Sequence, residues 1–197
     1  MQLCFVRHGE TDWNLQGRYQ GRADPPLCAA GILTARGIAE RLCADAQLRL
    51  VSSPLQRATA TAGLIATAFG AAAALPDARL GEIDFGAWQG LTQAQVKLRW
   101  PGLLRRWKQD PATFRFPGGE SLVEAQARLY DFLRHPPWPA EHTGTVLAVS
   151  HAGMIRLAGL IAEQRPLAQF RQIEVPSGAI EAFEWSAGGA LRRLQRG

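Results

Sequence analysis

The stretch LCFVRHGETDWN, Leu3 to Asn14, decides how this chain is read. Leu3 to Val6 is an apolar run too short for a helix, and it reads as a buried strand from about Gln2. Arg7, His8 and Gly9 follow at once. In an open α/β sheet, ligands bind beyond the C-terminal ends of the strands. A guanidinium and an imidazole at a strand end are therefore candidates for a site.

Two further strand ends agree. The strand Leu48–Ser52 runs into PLQR, with Arg57, and TVLAV runs into Ser150, His151, Ala152 and Gly153. If the three strands are neighbours, two arginines and two histidines converge. Ser53 and Pro54 read as the N-cap and first position of a helix. Arg57 would then lie in its first turn, where free N–H groups and the helix dipole favour an anion. A second helix starts at Ser150 or His151, with the same consequence. Guanidinium forks match phosphate oxygens and stay charged. Taken singly, these residues have ordinary readings: a structural histidine, a solvated arginine, Asp12 and Asn14 as turn formers. Yet the chain has four histidines, and two of them end apolar strands. His135 and His142 lie in a Pro-rich loop and are expected to be solvated.

The remaining segments alternate in character. Helices are expected over about 32–44, from Ser53 through 69, over 92–109 with a break at Pro101, from a Ser121/Glu124 capping box onward, and after His151. Strands are expected at 145–150, 171–175 and 179–185, with another near 190–194. The pattern predicts an α/β fold over a single domain, 1–197. It is a three-layer sandwich with a largely parallel central sheet flanked by helices, plus a small helical cap around 83–116.

Composition narrows the function classes. The 197 residues are 47% hydrophobic and 20% charged, ordinary for a globular domain. No run reaches the length of a membrane span, and the first apolar run is too short for a signal peptide, so a cytoplasmic protein with no membrane partner is expected. Cys4, Cys28 and Cys43 form no C-x-x-C and read as packing residues in a reducing compartment. Net charge is +5. The basic residues are spread out, and the cluster Arg192, Arg193 and Arg196 reads as a solvated end. No nucleic-acid recognition motif appears, so the charge points to a small anion and to no nucleic acid. A homodimer is left open. No metal is expected, because no metal-ligand spacing occurs and fixed cations surround the histidines. No cofactor is expected, since neither a Walker A loop nor a G-x-G-x-x-G is present.

VRHGETDWN, 6–14, resembles the signature of the histidine phosphatase superfamily, the phosphoglycerate mutase-like proteins. Further matching segments follow in order: YQGRADPPL from 19, SSPLQRATATA at 52–62, LGEIDFGAWQG at 80–90, PGGES at 117–121 and SHAGMIR at 150–156. The resemblance implies a covalent mechanism in which His8 attacks phosphorus. Arg7, Arg57 and His151 would surround the phosphoryl group and Asn14 would contact it. Gln20 and Gly21 would approach the substrate, and Ala152 would offer its backbone N–H. One branch of the family takes its acid from an Asp after the second histidine, where this chain has Ala152. The other takes it from a Glu in an L-x-E segment, where this chain has Glu82. Cys28 stands where the family commonly has Thr or Ser, and Ala152 where it has Gly.

Mutases of the family usually carry an Arg and an aromatic pair after the acid, where this chain has Ile83, Asp84 and Phe85. The resemblance thus favours a phosphatase acting on a small phosphorylated metabolite. A cofactor-dependent phosphoglycerate mutase and a catalytically silent phosphate-binding adaptor are the rivals. Among short members the chain is most similar to α-ribazole phosphatases of cobalamin biosynthesis. Trp88, Trp100, Trp107, Phe114 and Phe116 would either cover such a ligand or form the core of the cap.

Overall fold

The computed structural model describes residues 1–42, 47–139 and 141–194. Cys43, Ala44 and Arg196 lie outside them. The strands are β1 (Gln2–Arg7), β2 (Arg49–Ser52), β3 (Leu75–Pro76), β4 (Thr145–Ser150), β5 (Ile180–Ser186) and β6 (Ala190–Arg193). They form one sheet in the order β3-β2-β4-β1-β5-β6. The first four are mutually parallel, while β5 runs antiparallel to β1 and β6 to β5.

Strand alternation divides the core in two. Leu3 and Phe5 of β1 and Val146 and Ala148 of β4 face one side. They pack against the helices α6 (Leu122–Arg134) and α7 (Ala152–Ala162). Cys4 and Val6, with Leu147 and Val149, face α2 (Ala29–Arg41) and α3 (Gln56–Phe69). A central strand covered on both faces needs an unbroken apolar run, which β1 and β4 supply. The result is a three-layer α/β sandwich. A single turn, α1 (Asp12–Leu15), follows β1.

The cap is built from α4 (Gln93–Arg99) and α5 (Pro101–Gln109). Thr92 and Gln95 form a capping box for α4, and Pro101 occupies the first position of α5. Trp88, Phe114 and Phe116 are enclosed in the same core as α6 and α7, so they are the core of the cap rather than a cover for a ligand. The expected Ser121/Glu124 capping box opens α6. No described helix is long and apolar enough to cross a membrane.

Three local expectations need correction. The helix after β2 begins at Gln56, with Leu55 as its N-cap; the Ser53 hydroxyl accepts from the Leu55 N–H at 3.3 Å and meets His151 instead of capping the helix. The segment 171–175 is not a strand. Leu167–Gln172 is a 3-10 helix, and the carbonyls of Ile173 and Val175 accept from Arg156 and Arg7 instead of entering a ladder. His142 is half-buried rather than solvated, with Nδ1 3.4 Å from Arg49 Nε. His135 is exposed.

Candidate active site

The register of the parallel strands assembles the site. Arg7 pairs with Ser150 in β4, and Ser52 of β2 pairs with Val149. Just beyond, the His8 N–H donates to the Ser150 carbonyl at 3.1 Å and the Ser53 N–H to Val149 at 2.9 Å. His8, Ser53 and His151 therefore leave the sheet side by side. A cavity of about 340 Å³ opens there, lined by Arg7, His8, Asn14, Gln20, Arg57, Glu82 and Ala152 among others. A larger concavity of about 630 Å³ lies at the opposite, N-terminal ends of β2 and β4, away from these groups.

His8 is almost fully buried, with Nδ1 2.6 Å from the Gly9 carbonyl. A carbonyl only accepts, so Nδ1 carries the hydrogen and Nε2 keeps its lone pair. Arg57 Nε donates toward that nitrogen at 3.3 Å. Burial, and then the Arg57 charge, pull the His8 pKa down to about 3, leaving a neutral imidazole at neutral pH. The Thr61 hydroxyl accepts from the Gly9 N–H and donates to the Arg57 carbonyl, tying β1 to α3.

Arg57 is wholly enclosed. Its terminal nitrogens donate to the carbonyls of Ala23 and Gly21, each at 2.8 Å, and Asp24 lies 3.7 Å away. Burial lowers its pKa to about 10 against the opposing charges of Glu82 and Asp24, so it remains a cation. Gly21 is not part of the cavity lining. It sits at φ +57°, where an added Cβ would collide with Gln89 and Phe85, and its contribution is the carbonyl that orients Arg57. Arg7 donates to the Val175 carbonyl at 2.6 Å, and its buried Nε has no partner among the described residues.

His151 is also enclosed and stands behind the cavity wall, its ring centroid 5.0 Å from that of His8. Its Nε2 lies 2.8 Å from the Ser53 hydroxyl, and Nδ1 has no partner among the described residues. Burial first, then Arg57 and His8, hold its pKa well below the usual histidine value. Asn14 accepts from the Thr11 N–H and hydroxyl through Oδ1, which leaves its amide N–H groups free. Gln20 is buried, with Oε1 unpartnered among the described residues. Ala152 is the first residue of α7, where a backbone N–H has no intrahelical acceptor.

Glu82 is buried at the cavity edge. Its carboxylate accepts from the N–H groups of Ile83 at 2.9 Å and Gly153 at 3.3 Å. A Cβ on Gly153 would collide with that carboxylate, so the close approach requires glycine. Arg128 of α6 holds the loop from outside, donating to the carbonyls of Arg79 at 2.6 Å and Glu82 at 3.1 Å while paired with Glu120 at 2.7 Å.

Sequence reasoning missed Ser53, Thr61, Gly153 and Arg128 as parts of this assembly. Ser53 carried a signal, a hydroxyl at a strand end, which was assigned to capping. Arg128 carried none, being one arginine among many on an amphipathic helix. Of the aromatics weighed as a ligand cover, Trp107 does line the outer cavity wall; Tyr19, Phe85 and Phe170, with Arg18, Arg156 and Arg171, line it too and were missed there. Burial pushes the Cys4 thiol up to about 11, which suits a packing residue and not a nucleophile. Among the described residues, no cluster of three or more His, Cys, Asp or Glu side chains is placed to hold a metal ion.

Comparison with known proteins gives the family. Residues 3–196 match the profile of the histidine phosphatase superfamily, branch 1. The chain is 38% identical over 159 residues to phosphoserine phosphatase 1 of Hydrogenobacter thermophilus, covering 79% of this chain and 73% of that protein. A solved structure of a mycobacterial glucosyl-3-phosphoglycerate phosphatase complexed with VO3 superposes with a TM-score of 0.79 at 31% identity, covering 96% of this chain and 98% of that one. An Escherichia coli K-12 structure, provisionally named an α-ribazole-5′-P phosphatase, gives a TM-score of 0.86 at 26% identity, covering 100% and 96%.

Proposed function

The chain belongs to the histidine phosphatase superfamily and is a phosphatase, and from that premise we propose that it hydrolyses small phosphomonoesters without a metal ion, through a phosphohistidine at His8. His8 Nε2 attacks phosphorus while the bond to the leaving oxygen breaks. Glu82, entering as the carboxylic acid, gives its proton to that oxygen. In the second half, water attacks phosphorus, Glu82 takes back a proton, and the P–N bond returns its electron pair to Nε2. Arg7 and Arg57 neutralise charge on the phosphoryl oxygens throughout, and His151, held neutral by burial, contributes a hydrogen bond rather than charge. Asn14 and the Ala152 N–H complete the cradle, and Gln20 meets the substrate beside it.

The observation that carries this reading is the fixed tautomer of His8. Its Nδ1 hydrogen is committed to Gly9, its Nε2 keeps a lone pair that meets only the long 3.3 Å contact from Arg57 Nε, and burial keeps the ring neutral. A binding protein has no use for a nucleophile prepared in this way, which disfavours the silent adaptor. The mutase reading gains nothing from Asp84, which the loop consumes: Oδ1 accepts from Gly86 and the carbonyl from Glu120. The substrates named for the relatives are phosphoserine, glucosyl-3-phosphoglycerate and α-ribazole 5′-phosphate. Each is a phosphomonoester whose leaving group is an alkoxide.

Rapid quench with p-nitrophenyl phosphate in the presence of a chelator should trap one acid-labile phosphate, located on His8 by mass spectrometry. His8→Ala should show neither the adduct nor turnover. Near-normal activity in that variant would sink the covalent mechanism.

A further inference from the structure

Building on that reading, we infer that the substrate carries a second anionic group beside its phosphoryl, received by Arg156 and Arg171 at the outer wall of the cavity. The argument begins with charge. Five guanidiniums line the cavity, those of Arg7, Arg18, Arg57, Arg156 and Arg171, against a single carboxylate, Glu82. A phosphomonoester brings about −2 at neutral pH. Even with Glu82 ionised and Asp24 paired with Arg57, about one positive charge stays uncompensated once the phosphoryl is bound.

The surplus lies at the outer end. Arg57 has Asp24, but none of the ion pairs among the described residues includes Arg7, Arg18, Arg156 or Arg171. Arg7 and Arg57 stand beside His8 and belong to the phosphoryl. Arg156 projects from α7 one turn beyond Ala152. Its Nε donates to the Ile173 carbonyl at 2.7 Å, its guanidinium lies 5.5 Å from the Phe170 ring centroid, and both terminal nitrogens keep their hydrogens for a ligand. Arg171 comes from the 3-10 turn on the same wall, and among the described residues its guanidinium is held only by NH1 on the Lys108 carbonyl, at 3.2 Å. Burial lowers the Arg156 pKa, the Glu82 charge opposes it, and the Arg171 charge then adds to the lowering, as expected for neighbouring like charges. Glu174 also opposes it, more weakly than Glu82, but it forms no ion pair with Arg156 and does not line the cavity.

Two guanidiniums placed together with free forks, beside the aromatic surfaces of Phe170 and Trp107, form a receptor for a carboxylate or a second phosphoryl. Arg18 has two of its nitrogens committed to Gln16 and Gly90 and is the lesser contributor. The favoured class is therefore phosphorylated hydroxy or amino acids and bisphosphates. Phosphate esters of neutral alcohols and nucleosides leave the outer charges unmatched.

The test compares kcat/KM of the full chain for three substrates on one carbon skeleton: glycerol 3-phosphate, 3-phosphoglycerate and glycerol 1,3-bisphosphate. One of the two charged esters should be preferred over glycerol 3-phosphate by about 10- to 100-fold, the worth of a charge-assisted hydrogen bond. Preference for 3-phosphoglycerate identifies a carboxylate, and preference for the bisphosphate a phosphoryl. Arg171→Gln, at an exposed position, should reduce that ratio about tenfold, with Arg171→Lys recovering part of it. Equal kcat/KM for all three esters, or a ratio unchanged in Arg171→Gln, overturns the inference alone. Failure to trap phosphate on His8 from any ester overturns the catalytic reading and the inference with it.

Discussion

At the residue scale the chemistry divides between a nucleophile and an acid. His8 acts on phosphorus, so its loss should affect every substrate alike. Glu82 acts on the leaving oxygen, so its importance follows how badly that oxygen needs a proton. An alkoxide needs one, whereas p-nitrophenolate hardly does. Glu82→Gln keeps the shape and removes the acid. It should slow phosphorylation of the enzyme by a sugar phosphate about 10²–10⁴-fold and by p-nitrophenyl phosphate far less. Burst kinetics isolates that step from hydrolysis of the phosphohistidine. Equal slowing for both leaving groups would make Glu82 a structural residue. Its position depends on Gly153, where any side chain would displace the carboxylate, and on Arg128, which fixes the carbonyls of its loop.

At the element scale, helix starts carry much of the specification. Thr92 and Ser121 cap α4 and α6 with complete capping boxes, while α2 begins at Cys28 with no side-chain cap. Cys28 already has the extended backbone of an N-cap, φ −83° and ψ 174°, and lies outside the cavity lining. A hydroxyl there could accept from the first-turn N–H groups. Cys28→Ser should stabilise the fold by about 1 kcal/mol, a rise in melting temperature of roughly 2–4 °C for a domain of this size, with kcat unchanged. A melting temperature that stays level or falls would show that the thiol's packing outweighs the missing cap. Ser53 shows the limit of such reasoning. Its spacing before Pro54 is that of an N-cap, yet its hydroxyl is shared between the Leu55 N–H and His151, and the helix starts three residues later at Gln56.

At the scale of the whole molecule, the two buried imidazoles couple catalysis to stability. Both have pKa values below the ordinary histidine value of 6.5, His8 at about 3. The unfolded chain therefore takes up protons below about pH 6.5 that the native site refuses. Stability should be greatest above that pH and should fall as pH drops toward about 3. Urea midpoints at pH 7.5 and 5 should record the fall, and His8→Gln should make it shallower. A fall of the same size in that variant would place its origin elsewhere. The sequence by itself determined the layers and the existence of the site. Unbroken apolar runs specify central strands, and the charged residues at their ends are local facts of the chain, legible together with the ordered motifs. Only the tertiary structure decided which of those residues meet and what surrounds them. Parallel register brings positions 8, 53 and 151 level, the Gly9 carbonyl selects the tautomer of His8, and Gly21 gives a carbonyl to Arg57 rather than a surface to the substrate. Arg156 and Arg171 reach the outer wall because 171–175 spends its carbonyls on guanidiniums instead of a sheet. Such contacts join residues far apart in the chain, and no local pattern encodes them, because their energy arises only once burial has removed the competing water.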